Sequence, residues 1–132
     1  MLTNPVIIQF DDDENYFTVA DLFCYNLNLT ISRKINSIEK AKTLVKEIES
    51  KKLIPDIAIV SNFLEKDLSD GEKICARLKV LVPGIKIIAY TTDKEDQWAD
   101  YWAVKSSKNT DESLIKILSD LTSQKFKSTN AQ

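Results

Sequence analysis

The sequence predicts a doubly wound α/β domain with a five-stranded parallel sheet and five helices. Strand-like and helix-like segments alternate along the chain, and short connections separate them. The run Asp56–Val60 is almost continuously apolar, as expected for a strand that is buried on both faces. A length of 132 residues corresponds to one domain. We expect this domain to occupy residues 1–122, followed by a flexible polar tail over 123–132.

The first half of the chain supplies three strands and two helices. Val6–Phe10 is an apolar first strand, and apolar residues at helical spacing predict a helix after it. Leu29–Lys34 alternates, so we expect a second strand with one exposed face. Asn36 or Ser37 can cap the second helix, because both side chains can accept a hydrogen bond from the first turn. The third strand then ends at Ser61.

The second half completes the alternation. Its expected elements are a third helix ended by Pro83 and Gly84, a fourth strand over Ile85–Tyr90, a short fourth helix from Asp93 through Trp98, a fifth strand over Trp102–Lys105, and a fifth helix that Thr110 caps. Neither an internal repeat nor an inter-domain linker interrupts this order. The pattern therefore predicts a single sheet with helices on both faces.

Composition narrows the function classes. Eighteen basic and 20 acidic residues give a net charge of -2, which provides no overall field for nucleic acid or anionic lipid. No apolar run is long enough to span a bilayer, and the first residues do not resemble a signal peptide. We therefore expect a cytoplasmic protein with no nucleic-acid or membrane partner.

The absence of histidine and the spacing of the two cysteines argue against several kinds of catalytic, metal and redox site. The chain contains no histidine, so histidine-based triads, histidine-ligated zinc and phosphohistidine are excluded within it. Cys24 and Cys75 lack the spacing of a metal knuckle or a redox pair, and both fall in predicted helices. We expect both to be buried free thiols.

Polar residues lie at the carboxyl ends of four of the predicted strands, where open α/β sheets bind ligands. Asp11 and Asp12 follow the first strand, Ser61 ends the third, Thr91 ends the fourth and Lys105 ends the fifth. Taken singly, the acids fit a helix N-terminus and the lysine fits a solvated surface. Together they predict one pocket, in which paired carboxylates need a divalent cation or a lysine to balance their charge. A hydroxyl and an ammonium opposite them could hold phosphoryl oxygens.

Several segments match one known family in order along the chain. They are Val6–Asp12, Pro55–Val60, Asp70–Gly71, Pro83–Thr91 and Ala99–Lys105. Over residues 5–121 the chain resembles the CheY-like receiver domain of two-component response regulators. The resemblance implies a flavodoxin-like fold with strand order 2-1-3-4-5.

The resemblance also implies roles for individual residues. Asp11 and Asp12 correspond to the metal-binding acids, with Asp12 as the expected direct ligand. Thr91 corresponds to the hydroxyl residue that contacts a bound phosphoryl group, and Lys105 corresponds to the ion partner of that group. Trp102 corresponds to the switch aromatic, and Ser61 falls on the phosphoacceptor aspartate. Further departures are a loop two residues longer than usual before Gly71, Trp98 in place of a common glycine and Ser106 in place of a common proline. The chain is thus predicted to be a degenerate receiver that lacks its acceptor.

Serine at position 61 changes the expected chemistry. An aspartate is ionised at neutral pH and needs only a metal ion and positioning to attack phosphorus. A serine hydroxyl needs a base, and the pocket offers only carboxylates and no histidine. Loss of one carboxylate also brings Asp11, Asp12 and Lys105 nearer to charge balance, so we expect weak Mg²⁺ binding at most, no other cofactor, and a Lys105 bridge to one acid.

These expectations predict a non-enzymatic pseudo-receiver that acts as a phosphorylation-independent protein-interaction module. The family's contact surface is formed by the fourth helix, the fifth strand and the fifth helix, and it serves a partner or self-association. One alternative is a working receiver that uses Glu65 or Asp67 as a substitute acid. A flavodoxin-like enzyme is disfavoured, because the chain has only two glycines and neither follows the first strand.

Overall fold

Strands and helices alternate along most of the computed structural model, which describes residues 4–62, 64–65, 70–92, 98–105 and 113–122. The elements are β1 Ile7–Phe10, α1 Asn15–Asn26, β2 Ile31–Ile35, α2 Ile38–Glu49, β3 Ile57–Val60, α3 Asp70–Leu81, β4 Lys86–Thr91, β5 Tyr101–Val104 and α4 Ser113–Thr122. The strand bounds lie within about two residues of those predicted from the pattern of apolar residues. Lys105 follows β5 directly instead of ending it.

The five strands form one parallel sheet in the order β2-β1-β3-β4-β5, which confirms the predicted topology. The described residues contain four helices, and α4 corresponds to the fifth predicted helix. Most of the predicted fourth helix lies outside the described residues, and Trp98 at its end is in a turn. Thr110, Ser106 and the predicted tail over 123–132 also lie outside them.

Helices cover both faces of the sheet, as the continuous apolar runs predicted. β1 and β3 are buried along their whole length, with alternate side chains on opposite faces. Ile7 packs in the core under α1 and α4, and Ile8 packs in the core under α2 and α3. Within the described residues Cys24 and Cys75 are free and buried, as expected, and burial raises the pKa of the Cys24 thiol to about 12.

β2 has the exposed character that its alternation predicted. Its three central residues are exposed while Ile31 and Ile35 are buried, which suits a strand at the edge of the sheet. Ser37 provides the N-terminal cap of α2, since its hydroxyl accepts a hydrogen bond of 3.2 Å from the Lys40 amide. No helix in the described ranges is long and apolar enough to cross a membrane.

Gly71 allows the start of α3 to pack against the end of β3. Its amide donates a hydrogen bond of 3.0 Å to the Asn62 carbonyl. A Cβ atom at this position would lie 2.2 Å from the Ser61 carbonyl oxygen and 3.0 Å from the Trp98 ring. The absent side chain therefore fixes how closely the helix approaches the residue at the centre of the predicted site.

Gly71→Ala should lower the free energy of unfolding by about 2 kcal/mol or more, because backbone atoms cannot move away as a flexible side chain can. Urea denaturation measures the change. Gly84→Ala is the matched control, since a Cβ there meets nothing within 4 Å, and its stability should stay equal or rise by up to about 1 kcal/mol. Equal loss in both variants would show that the close approach at Gly71 is not the cause.

Candidate functional site

Lys105 lies at the centre of the site and contacts three of the predicted residues. Its amide donates to the Thr91 carbonyl at 2.9 Å, which continues the β4–β5 pairing by one residue and directs the side chain across the sheet edge. The Nζ atom lies 2.8 Å from Asp11 Oδ2 and donates to Ser61 Oγ at 3.1 Å. Only 8% of the lysine side chain is exposed. The predicted bridge from Lys105 to an acid is therefore confirmed.

Asp11 is the buried partner in this ion pair, with 1% of its side chain exposed. Its Oδ1 atom accepts a hydrogen bond of 2.9 Å from the Asp13 amide, which turns the chain towards α1. Its Oδ2 atom has the ammonium nearby but no directed hydrogen bond from the described residues. Burial raises the pKa of this carboxyl to about 6, and the neighbouring Lys105 offsets only part of that rise.

Two tyrosines form an aromatic wall beside the ammonium. Lys105 Nζ lies 4.4 Å from the Tyr16 ring centroid and 5.9 Å from the Tyr90 centroid, both within the range of cation–π attraction. The rings meet edge to face at a centroid distance of 5.7 Å. The sequence analysis did not identify Tyr16 as a site residue. Its place two residues after the acidic run was the available signal.

Thr91 and Trp102 are joined to each other. Trp102 Nε1 donates a hydrogen bond of 2.8 Å to Thr91 Oγ1. The Thr91 residue is buried, and the indole is half-buried. The hydroxyl that the resemblance assigns to phosphoryl contact is thus engaged by the aromatic residue at the switch position.

A pocket of about 250 Å³ opens at this sheet edge. It is lined by Asp12, Asp13, Tyr16, Ser61, Asn62, Thr91, Thr92 and Lys105. The structure therefore brings Asp12, Ser61, Thr91 and Lys105 together, as predicted. The two acids differ in their exposure, however: Asp11 is buried, whereas Asp12 is exposed.

Gln9 is a polar residue near the site whose role the sequence analysis missed. It is fully buried within β1, and its Nε2 atom donates to the Tyr16 carbonyl at 3.2 Å. Its Oε1 atom has no hydrogen-bond partner in the described part of the chain. A glutamine inside an otherwise apolar strand was the signal, because a buried amide requires partners.

Glu65, in the loop after β3, and Asp70, the first residue of α3, accept hydrogen bonds from backbone amides. Glu65 Oε2 accepts from the Ile38 amide at 3.0 Å, at the first turn of α2 and not in the pocket. Asp70 Oδ2 accepts from the Leu64 and Glu65 amides at 3.0 and 2.9 Å. This placement does not support Glu65 as a substitute acid, and Asp67 lies outside the described residues. Among the residues described, no three acidic, cysteine or histidine side chains are grouped to hold a metal ion.

Comparisons with known proteins identify solved structures with a similar fold. No family model matches the chain, and no curated protein matches it by sequence. A CheY-like response regulator receiver domain protein from Methanospirillum hungatei JF-1 matches with a TM-score of 0.68 and 16% identity, over 90% of this chain and 94% of that one. The phosphorylated cyanobacterial phytochrome response regulator RcpA matches with a TM-score of 0.68 and 14% identity, over 98% of both chains.

A third solved structure supports the same fold. The isolated REC domain of RcsB from Salmonella enterica serovar Typhimurium, in the presence of phosphomimetic BeF3-, matches with a TM-score of 0.71 and 16% identity. The match covers 90% of this chain and 88% of that one. The chain therefore has the fold of CheY-like response regulator receiver domains.

The raised pKa of Asp11 predicts how stability depends on pH. Asp11 binds a proton more tightly in the folded chain than in the unfolded chain, where its pKa is 3.8. Its contribution to the free energy of unfolding is therefore complete below pH 3.8 and is lost as the pH rises through about 6. Between these values the wild type should lose roughly 3 kcal/mol relative to Asp11→Asn.

Urea denaturation across this pH range measures the difference. Asp11→Asn also loses the ion pair, which adds an offset to its free energy of unfolding. The quantity to compare is therefore how the difference in free energy of unfolding between the wild type and Asp11→Asn changes with pH. Asp12→Asn is the matched control, because that carboxylate is exposed, and its profile should follow the wild type. Parallel profiles for the wild type and Asp11→Asn would contradict a buried Asp11 that resists ionisation.

Proposed function

We propose that this chain is a pseudo-receiver of two-component-type signalling, which acts as a phosphorylation-independent protein-interaction module and not as an enzyme. The observation that carries the proposal is the position of Lys105. Its ammonium contacts Asp11 at 2.8 Å and the Ser61 hydroxyl at 3.1 Å, at the strand ends where the receiver resemblance places acceptor and acid. The site is therefore held together by its own side chains.

The chemistry of Ser61 supports an inactive acceptor position. Aspartyl phosphorylation cannot occur at a serine. The Ser61 oxygen accepts a hydrogen bond from a cation, which lowers its electron density and opposes attack on phosphorus. Asp11 Oδ2 is paired with the same cation, which makes it a poor base.

The residues present do not fit a strong Mg²⁺ site. Mg²⁺ prefers an octahedral shell of oxygen ligands and commonly uses carboxylates. Here Asp11 Oδ2 faces Lys105, and serine replaces the acid expected at position 61, so Asp12 and Asp13 are the acids that line the pocket. We infer that the Lys105 ammonium supplies the balancing positive charge and that Mg²⁺ binding is weak at most.

The interaction surface in this proposal includes β5 and α4. Tyr101 on β5 is 37% exposed, and Trp102 beside it is half-buried and hydrogen-bonded to Thr91. Aromatic side chains of this kind are common at the centres of protein interfaces. We propose that a protein partner or a second copy docks here. A nucleic-acid partner is not expected at a net charge of -2, and a cytoplasmic location completes the proposal.

Incubation with acetyl phosphate and Mg²⁺ should leave the intact mass of the wild type unchanged, because position 61 offers no carboxylate and no base. Intact-mass spectrometry measures the result. Ser61→Asp, treated in parallel, tests whether an acid restores phosphorylation to the remaining pocket. A wild-type adduct on an acid such as Asp67 would support the substitute-acid alternative, and an acid-stable adduct on Ser61 would indicate serine phosphorylation.

Tyr101→Ala should weaken retention of the native-host partner at least about fivefold, because truncation of an aromatic residue in an interface commonly costs more than 1 kcal/mol. The measurement is recovery on immobilised protein. Tyr25→Ala is the matched control: Tyr25 is 75% exposed but lies on α1, so recovery should not change. Equal recovery with both variants would place the interaction surface elsewhere.

A further inference from the structure

A second cavity lies between α2 and α3, on the sheet face that also carries the Ile8 core. Its volume is about 460 Å³. The apolar residues that line it are Phe10, Ile38, Ala41, Val45, Ile74 and Leu78. Pockets for small organic molecules typically range from about 300 to 1,000 Å³ and have mainly apolar walls. This cavity has both properties.

Four basic residues also line the cavity. Lys42 and Lys46 extend from α2, Lys73 and Arg77 extend from α3, and Glu49 is the single acid in the lining. Arg77 is paired with Glu49 across the two helices at 2.6 Å. The lining therefore carries four cations and one carboxylate, an excess of positive charge in a chain whose net charge is -2.

Two of these cations differ from Arg33 and Lys34, the basic residues on β2. Arg33 is paired with Glu47, and Lys34 is paired with Asp21. Lys42 and Lys46 have no ion-pair partner among the residues that the structure describes. They lie one turn apart on α2, so their ammonium groups can approach the same anion.

We propose that this cavity binds a small organic anion with an apolar body, of the aliphatic carboxylate class. Burial of the body against the apolar residues supplies the hydrophobic contribution, and the basic residues attract the carboxylate and disfavour a cationic head group. The inference concerns a different site from Asp11 and Lys105 and is independent of the proposed interaction function.

Decanoate, used below its micelle concentration, is the probe. In a titration followed by ¹H–¹⁵N NMR of the intact chain, saturable shifts should cluster in α2 and α3. Nonyltrimethylammonium has the same nine-carbon alkyl chain with the opposite charge, and at equal ionic strength it should produce smaller shifts at the same positions. Both measurements use the wild type and do not depend on the folding of a variant.

Lys42→Gln/Lys46→Gln should weaken decanoate binding about fivefold or more, because two favourable charge contacts are lost. Lys40→Gln/Lys116→Gln is the matched control: it removes the same charge from residues that do not line the cavity and should leave the affinity unchanged. Val45→Trp should abolish the clustered shifts by filling the cavity. Scattered or absent shifts, equal binding of the cationic probe, or equal weakening in the two double variants would overturn the proposal.

Discussion

The buried contact between Lys105 and Asp11 is the interaction on which the rest of the site depends. A carboxylate that is 1% exposed loses most of its hydration, and the ammonium at 2.8 Å compensates only in part, since the pKa of Asp11 is still raised to about 6. A buried pair of this kind is weak evidence for stability as a whole. Removal of one member is nevertheless costly, because the other charge would stay buried without compensation. Substitutions around the pair must therefore leave both charges in contact with each other.

Other contacts of the site follow from the position of this ammonium. Parallel pairing of β1, β3, β4 and β5 brings the ends of these strands to one edge, so an acid, a serine and a lysine from distant parts of the chain meet there. Gly71 keeps α3 close to the Ser61 backbone, which limits how far the serine can move from Lys105. Tyr16 closes the remaining side at 4.4 Å and gives the cation an apolar and electrostatically favourable wall. The polar and charged groups of the site therefore interact with one another.

Apolar periodicity and short connections could predict the alternating strands and helices, and the resemblance to receiver domains implied the strand order. Sequence reasoning could also predict the Lys105 bridge, since charge balance follows from residue types at neighbouring strand ends. It could not predict that Asp11 is buried while Asp12 is exposed, because that difference depends on the turn at Asp13. The roles of Tyr16 and Gln9, and the cavity between α2 and α3, depend on tertiary packing that no local pattern encodes.

The Thr91–Trp102 hydrogen bond connects the pocket with the proposed interaction surface. A threonine hydroxyl that served a phosphoryl group would have to change its partners on phosphorylation, and that change could move a neighbouring aromatic residue. Here the hydroxyl accepts the indole N–H at 2.8 Å, and the residue at position 61 is a serine. In the proposed pseudo-receiver, the position of Trp102 on β5 would be set by folding and not by a modification. A partner that docks on β5 would meet one arrangement of this surface, so regulation would depend on the amount of each protein or on a ligand bound elsewhere.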